Sequence, residues 1–121
     1  MATLNELKKY LNYEFSNGSY TGKDYRIFQT KYINYIKNIC KQNNWDVVNI
    51  GRHHYFLTLF IKNQTNKCIY LSISDVRYFT NQWYHHILIR TAKNEKDYHG
   101  GQNHYTGLET LDFSIERLFQ L

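Results

Sequence analysis

The segment 90–106, RTAKNEKDYHGGQNHYT, concentrates side chains that could do acid–base chemistry between an apolar strand and an apolar helix. Imidazoles can exchange protons near neutral pH, tyrosine hydroxyls can donate, and cations can stabilise a phosphate. The candidate catalytic residues are His99, His104, Tyr98 and Tyr105. Metal-independent RNA cleavage needs only a base, an acid and a cation or oxyanion donor around a 2′-hydroxyl that attacks its own phosphate. One histidine would be the base, the other histidine or a tyrosine the acid, with Arg90 or Lys96 beside the phosphorane.

The same segment also suggests a site that binds anions. Gly100 and Gly101 allow positive φ and a close backbone approach, so backbone amides could point at a phosphate. Asp97 could orient His99 or Arg90, or bond to the loop backbone. The competing interpretation is a polar loop whose glycines only make a turn. The candidate nucleic-acid-binding residues are Arg90, Lys93, Lys96, Gly100, Gly101 and His86.

A metal centre is not expected. The pairs His53-His54 and His85-His86 are adjacent in predicted strands, so the two imidazoles of each pair face opposite sides and cannot chelate one ion together. The chain also lacks the CxxC and HExxH spacings typical of zinc sites. We expect no cofactor, and we expect Cys40 and Cys68 to be packed, reduced thiols.

Bulk composition favours one folded domain with an anionic partner. The chain has 121 residues, and its 15 Lys and Arg exceed its 10 acids to give a net charge of +5. That length predicts a single domain over 1–121, and the charge favours nucleic acid or an acidic protein surface. No apolar run is long enough to cross a membrane, and the start MATLNELKKY does not resemble a secretory leader. We therefore expect a cytosolic protein, with its oligomeric state left open.

Two helices are predicted before the sheet. Thr3 and Glu6 form a candidate capping box, which precedes apolar residues at helical spacing. A second helix has Asp24 in its first turn and ends near Gln42. Their apolar stripes are Leu4, Leu7, Leu11 and Phe15, and then Tyr25, Phe28, Tyr32, Ile36 and Ile39.

Four strands and a closing helix follow. The strands are predicted over Trp45–Ile50, His54–Lys62, Lys67–Ser74 and Gln82–Thr91. Short connections favour an antiparallel meander. Thr106 with Glu109 forms another candidate capping box for the last helix, whose apolar stripe is Leu108, Leu111, Ile115, Leu118 and Phe119. The predicted fold is an α+β domain with two N-terminal helices, a four-stranded antiparallel sheet and a C-terminal helix.

Alternation along the strands separates two faces of the predicted sheet. The core face would carry Tyr55, Leu57, Leu59, Ile61, Ile69, Leu71, Ile73, Ile87 and Ile89. The other face would carry His54, Phe56, Thr58, Phe60, Tyr70, Ser72, Tyr84, His86 and Arg90. Aromatic and basic side chains on an open sheet can stack bases and neutralise phosphate. Alternatively, if the first helix covers this face, Phe56, Phe60 and Tyr70 form a second hydrophobic layer.

Three segments resemble small proteins of Gram-positive mobile elements, in particular a group of type II-A anti-CRISPR proteins. They are LKKYLNYEFSNGSYTGKDY (7–25), CIYLSISDVRYF (68–79) and ILIRTAKNEKDYHGGQNHYT (87–106). The resemblance implies an inhibitor of an RNA-guided Cas nuclease that acts on the guide RNA, by blocking its loading or by truncating it, in the cytoplasm of a bacterial host. It carries over no catalytic residue.

Three functional hypotheses remain. The first is an anti-CRISPR inhibitor directed at the guide RNA, with or without ribonuclease activity. The second is a non-enzymatic inhibitor that binds the nuclease protein through aromatic anchors such as Phe79, Trp83 and Tyr84, because aromatic residues are common at interface hot spots. The third is a nucleic-acid-binding accessory protein of a plasmid, phage or mobile element.

Overall fold

A computed structural model describes residues 4–11, 21–74 and 87–121 of the chain. Its helices are α1 (Leu4–Leu11), α2 (Gly22–Asn43) and α3 (Leu111–Phe119), with a short 3₁₀ helix at Leu108–Thr110 before α3. Its strands are β1 (Asp46–Arg52), β2 (Phe56–Lys62), β3 (Cys68–Ser74), β4 (Ile87–Ala92) and β5 (His104–Thr106). All four strand pairs are antiparallel, and the strands lie in chain order. The predicted α+β class, antiparallel meander and closing helix are confirmed.

Helix α2 begins with a capping box. The Thr21 amide donates to Asp24 Oδ2 at 2.8 Å, and the Asp24 amide donates to Thr21 Oγ1 at 3.4 Å. Such reciprocal bonds satisfy amides that a helix start leaves unpaired. The helix ends at Asn43, where Asn44 adopts the left-handed conformation. The capping box predicted for α1 includes Thr3, which lies outside the described residues.

The main core lies between the three helices and one face of the sheet. The strand residues that form this face are Leu57, Leu59, Ile61, Ile69, Leu71, Ile73, Ile87 and Ile89, all buried as predicted. Tyr55 is the exception, because β2 begins at Phe56 and the backbone bends at residues 54 and 55, which leaves Tyr55 exposed. The Tyr25 hydroxyl donates to the carbonyl of Ile73 at 2.9 Å and so satisfies a polar group in this core.

Two predictions near the end of the chain are wrong. The sheet has a fifth strand, β5, which pairs with β4 so that His104 lies opposite Ile89. Three residues are too few to show an alternating pattern. Thr106 is also not the N-cap of the closing helical segment, because that segment begins after Gly107 and the Thr106 hydroxyl bonds to those of Thr110 at 2.9 Å and Ser114 at 2.8 Å.

Several predicted features lie outside the described residues. These are the protein-binding anchors Phe79, Trp83 and Tyr84, the pair His85-His86 and the first five residues of the predicted fourth strand. Cys40 and Cys68 are buried and unpaired, as predicted, and burial raises the pKa of the Cys40 thiol to about 12. No helix in the described parts of the chain is long and apolar enough to span a membrane.

Candidate functional site: the loop on the outer face

The connection between β4 and β5, residues 93–103, folds over the sheet face that points away from the helices. We call this the outer face. Asn49, Phe60, Tyr70 and Arg90 lie side by side on it, one from each of β1 to β4. The Tyr98 ring packs edge-on against Phe60, with ring centres 5.1 Å apart, and against Tyr70 at 5.9 Å. Part of the outer face is therefore a second hydrophobic layer, covered by the loop and not by α1.

Polar contacts from β1 and β2 fix the loop over this layer. The Asn49 side-chain amide donates to the carbonyl of Glu95 at 2.7 Å and to the Tyr98 hydroxyl at 3.4 Å. The Lys62 ammonium lies 2.9 Å from the Glu95 carboxylate. The hydrogen bond from Lys62 lowers the pKa of Glu95 and raises the pKa of Lys62, as expected for an ion pair.

The Asp97 carboxylate organises the interior of the loop. It accepts hydrogen bonds from the backbone amides of Lys93 at 2.9 Å, Gly100 at 2.8 Å and His99 at 3.2 Å. The bond from Lys93 is the largest cause of the lowered pKa of Asp97, and the amides of His99 and Gly100 add to it. Amides that could have formed a nest for an external phosphate are thus bound to a carboxylate of the chain itself. Of the roles predicted for Asp97, the structure shows the local bond to the loop backbone.

Both glycines are required by the shape of this loop. Gly101 has φ of +76°, and a Cβ atom there would lie 2.4 Å from the carbonyl oxygen of Thr91. A Cβ atom on Gly100 would lie 2.1 Å from the Asp97 carboxylate, which cannot move without losing its amide bonds. The Gly-Gly pair therefore allows the loop to pack against its own strand and its own carboxylate.

Arg90 also lies on the outer face, next to Tyr70. Its guanidinium carbon lies 4.5 Å from the centre of the Tyr70 ring, within the range of a cation–π interaction. Its Nε atom is buried and has no hydrogen-bond partner within the described parts of the chain. Arg90 therefore lies over the Tyr70 ring, which Tyr98 of the loop contacts edge-on.

The four candidate catalytic residues lie on both sides of the sheet. His104 lies opposite Ile89 on the helix-facing side, in a pocket lined by Ser114 and Arg117 of α3. Tyr98 packs on the outer face, and Tyr105 lies opposite Leu88 on that face, about half exposed. His99 is exposed in the loop. The structure places Tyr98 and Arg90 against the same Tyr70 ring and lets His104 and Tyr105 line one pocket, but it places His104 across the sheet from Tyr98.

Three basic side chains face solvent from the loop, beside the uncharged polar side chains of Asn94, Gln102 and Asn103. Lys93, Lys96 and His99 are all exposed, and neither lysine ammonium forms an ion pair within residues 4–11, 21–74 and 87–121. Candidate residue His86 lies outside the described residues. No group of three or more metal-binding side chains exists among the residues that the structure describes.

Asn49 and Lys62 support the site but were not identified from the sequence. An asparagine between apolar residues of a strand was the available signal for Asn49. Lys62 and Glu95 are far apart in the sequence, and nothing local links them. Fold and site together define a small α+β protein with a hydrogen-bonded loop on its sheet, in which the lysines face solvent and the two acids, Glu95 and Asp97, bond within the protein. Comparisons with family models, curated proteins and solved structures find no match.

Proposed function

We propose that this protein inhibits an RNA-guided Cas nuclease in the bacterial cytoplasm by binding the guide RNA and blocking its loading. The contact surface in this proposal is the rim of the 93–103 loop, formed by Lys93, Lys96 and His99. The observation that carries it is the binding of three loop amides by Asp97, which fixes the backbone and leaves these basic side chains facing solvent. The target is taken from the resemblance of the three sequence segments.

The positions of the candidate catalytic residues support RNA binding by this protein rather than RNA cleavage. General acid–base catalysis requires the acid and the base within hydrogen-bond reach of the same reacting group. His104 lies on the helix-facing side of the sheet, whereas Tyr98 is packed on the outer face. A phosphate at the loop rim would meet cations and the His99 imidazole but would have the sheet between it and His104.

The charge and the exposed groups support RNA as the ligand. The net charge of +5 attracts a polyanion over distance, and lysine side chains neutralise phosphates without reading the sequence. Tyr105, about half exposed on the outer face, adds a ring on which an unpaired base could stack. Guide RNA offers both phosphates and unpaired bases.

A cleavage assay tests the proposal. The protein is incubated with labelled guide RNA, with and without nuclease and with and without EDTA, and target-DNA cleavage is then measured. We expect intact RNA in every lane and strong inhibition only when the protein is added before the guide is loaded. Shortened RNA would establish a ribonuclease instead.

Charge-matched variants locate the surface. Lys93→Gln with Lys96→Gln removes two charges from the loop, and Lys37→Gln with Lys41→Gln removes two exposed charges from α2. We expect the loop variant to lose inhibition and the helix variant to keep it. Undiminished inhibition by a folded loop variant would favour the protein-binding hypothesis.

A further inference from the structure

A second surface lies at the β1–β2 turn, away from the loop. The start of α2 and this turn enclose an open cleft. Its principal lining residues are Arg26, Gln29, Arg52, His53, Tyr55 and Phe56. The cleft therefore combines aromatic rings with two arginines, a composition that suits a ligand with a flat ring and a negative charge.

The floor of the cleft is held rigidly by a buried glutamine. Gln29 is only 1% exposed, and its side-chain amide donates to the carbonyls of His53 at 3.0 Å and Phe56 at 3.5 Å. Its carbonyl oxygen accepts from Arg52 Nε at 3.1 Å. The backbone amide of His53 also donates to the carbonyl of Phe56 at 3.0 Å, which closes the turn. Such support fixes the turn before any ligand arrives.

The two arginines have different roles in the cleft. Arg52 is fixed to α2, because its guanidinium donates to the Arg26 carbonyl at 2.9 Å and to the Thr30 hydroxyl at 3.1 Å. The Arg26 guanidinium is exposed and forms no ion pair within the described residues. The nearest acid on the same helix, Asp24, accepts the capping bonds from Thr21. Arg26 is therefore the cation best placed to bind a phosphate.

A ready-made stack of rings borders the cleft at the end of β2, on the side of the outer face. The His53 and Phe56 rings lie 4.2 Å apart and only 17° from parallel. A Cβ atom on Gly51 would lie 2.6 Å from Thr58 Oγ1 and 3.0 Å from His53 Nε2, so the glycine leaves room for both side chains. Phe56 remains 40% exposed even though a partner ring is stacked on it. A nucleobase could extend this stack without any rearrangement of the turn.

We propose that this cleft binds one nucleotide of single-stranded RNA, with its base stacked on the His53–Phe56 pair and its phosphate at Arg26. The inference depends on the proposed function only for the natural source of the RNA. Base stacking on an aromatic side chain tolerates any base, so the cleft would add affinity without sequence preference. Together with the loop, it would give the protein two contacts along one strand.

Nuclear magnetic resonance titration of the full chain tests the cleft without any nuclease. The probes are uridine 5′-monophosphate, an oligouridylate and inorganic phosphate. We expect both uridine probes to shift the ring signals of His53 and Phe56, with the oligomer binding more tightly. Phosphate alone should leave the ring signals of Phe56 unchanged. Equal binding of the mononucleotide and the oligomer would indicate a free-nucleotide site and overturn the single-strand proposal.

Two variants test the contact with the base and the contact with the phosphate separately. Phe56→Leu should weaken oligomer binding about tenfold, since a stacked base contributes that order of affinity. Arg26→Gln should reduce the salt slope of binding by about 0.7, the value for one phosphate contact on a single strand. Lys37→Gln, on the exposed side of α2 and away from both surfaces, should leave the mononucleotide shifts unchanged. Wild-type binding by both cleft variants would overturn the inference, whereas the loop proposal would be judged separately by the inhibition of the loop variant.

Discussion

Phe60 and Phe56 stand on the same face of the same strand, yet Phe60 is completely buried and Phe56 is 40% exposed. The difference comes from what each ring meets above the sheet. Tyr98 and the 93–103 loop cover Phe60, whereas among the described residues the His53 imidazole is the ring that stacks on Phe56. One sheet face thus has an end closed by the chain itself and an end open to solvent.

The two ends also differ in how their polar groups are satisfied. In the loop, Asp97 binds backbone amides that could otherwise have held an anion, so much of the apparent chemistry of the segment maintains its fold. At the β1–β2 turn, the Gln29 side chain donates from α2 to the backbone carbonyls of His53 and Phe56, and the rings of these two residues remain accessible. A segment rich in reactive residue types is therefore not by itself a site, and internal bonding decides which groups remain for a ligand.

We expect Phe60→Ala to cause the largest loss of stability. Removal of a fully buried ring should lower the free energy of unfolding by about 3–5 kcal/mol. Phe56→Ala should lower it by about 1 kcal/mol or less, because that ring is partly exposed. Urea denaturation of both variants measures the difference. Similar losses would show that the two ends are not distinguished by the loop cover.

Gly101→Ala should cause the next largest loss of stability. The residue has positive φ and faces the Thr91 carbonyl, so alanine should cost about 1–3 kcal/mol of stability. Gly107→Ala is the matched control, because Gly107 has φ of −98° and ψ of 171°, which alanine adopts readily. Thermal unfolding compares the two variants. A stable Gly101→Ala protein would mean that the loop does not pack against β4 as described.

Asp97→Asn should loosen the loop with little effect elsewhere. The lowered pKa of Asp97 means that its stabilising contribution is complete above the ordinary value of 3.8 and is lost as pH falls through the lower value in the folded protein. Amide exchange should be faster at Lys93, His99 and Gly100 in the variant, and at low pH in the wild type. Asp112→Asn on α3 serves as the control. Unchanged protection of these amides in Asp97→Asn would contradict the proposed anchor.

The smallest effect is expected for Lys62→Met. The Lys62–Glu95 ion pair lies near the surface, where such pairs contribute little and are screened by salt. Thermal unfolding at low ionic strength should show a slight loss of stability, which should disappear at about 1 M salt, where the Debye length is about 3 Å. A large loss that persisted in high salt would give this pair a greater part in holding the loop.

Much of the fold could be predicted from the sequence, because its signals are local. The alternation of Leu57, Leu59 and Ile61 identified the core face, and Asp24 marked the first turn of α2. The burial of the outer face beneath the 93–103 loop could not be predicted. Tyr98 contacts Phe60 only because the loop folds back over the sheet, and that path depends on contacts with Asn49, which is far away in the sequence. Likewise, the pairing of β5 determined the side on which His104 lies.

The most direct test of the central claim is the affinity for labelled guide RNA measured across a series of salt concentrations. Log affinity should fall linearly with log salt, and the slope should be shallower by about 1.4 when Lys93 and Lys96 are changed to glutamine, about 0.7 for each lost contact. The Lys37 and Lys41 variant should keep the wild-type slope. Equal slopes in all three proteins, or no RNA binding at low salt by a protein that still inhibits the nuclease, would contradict a loop that binds guide RNA.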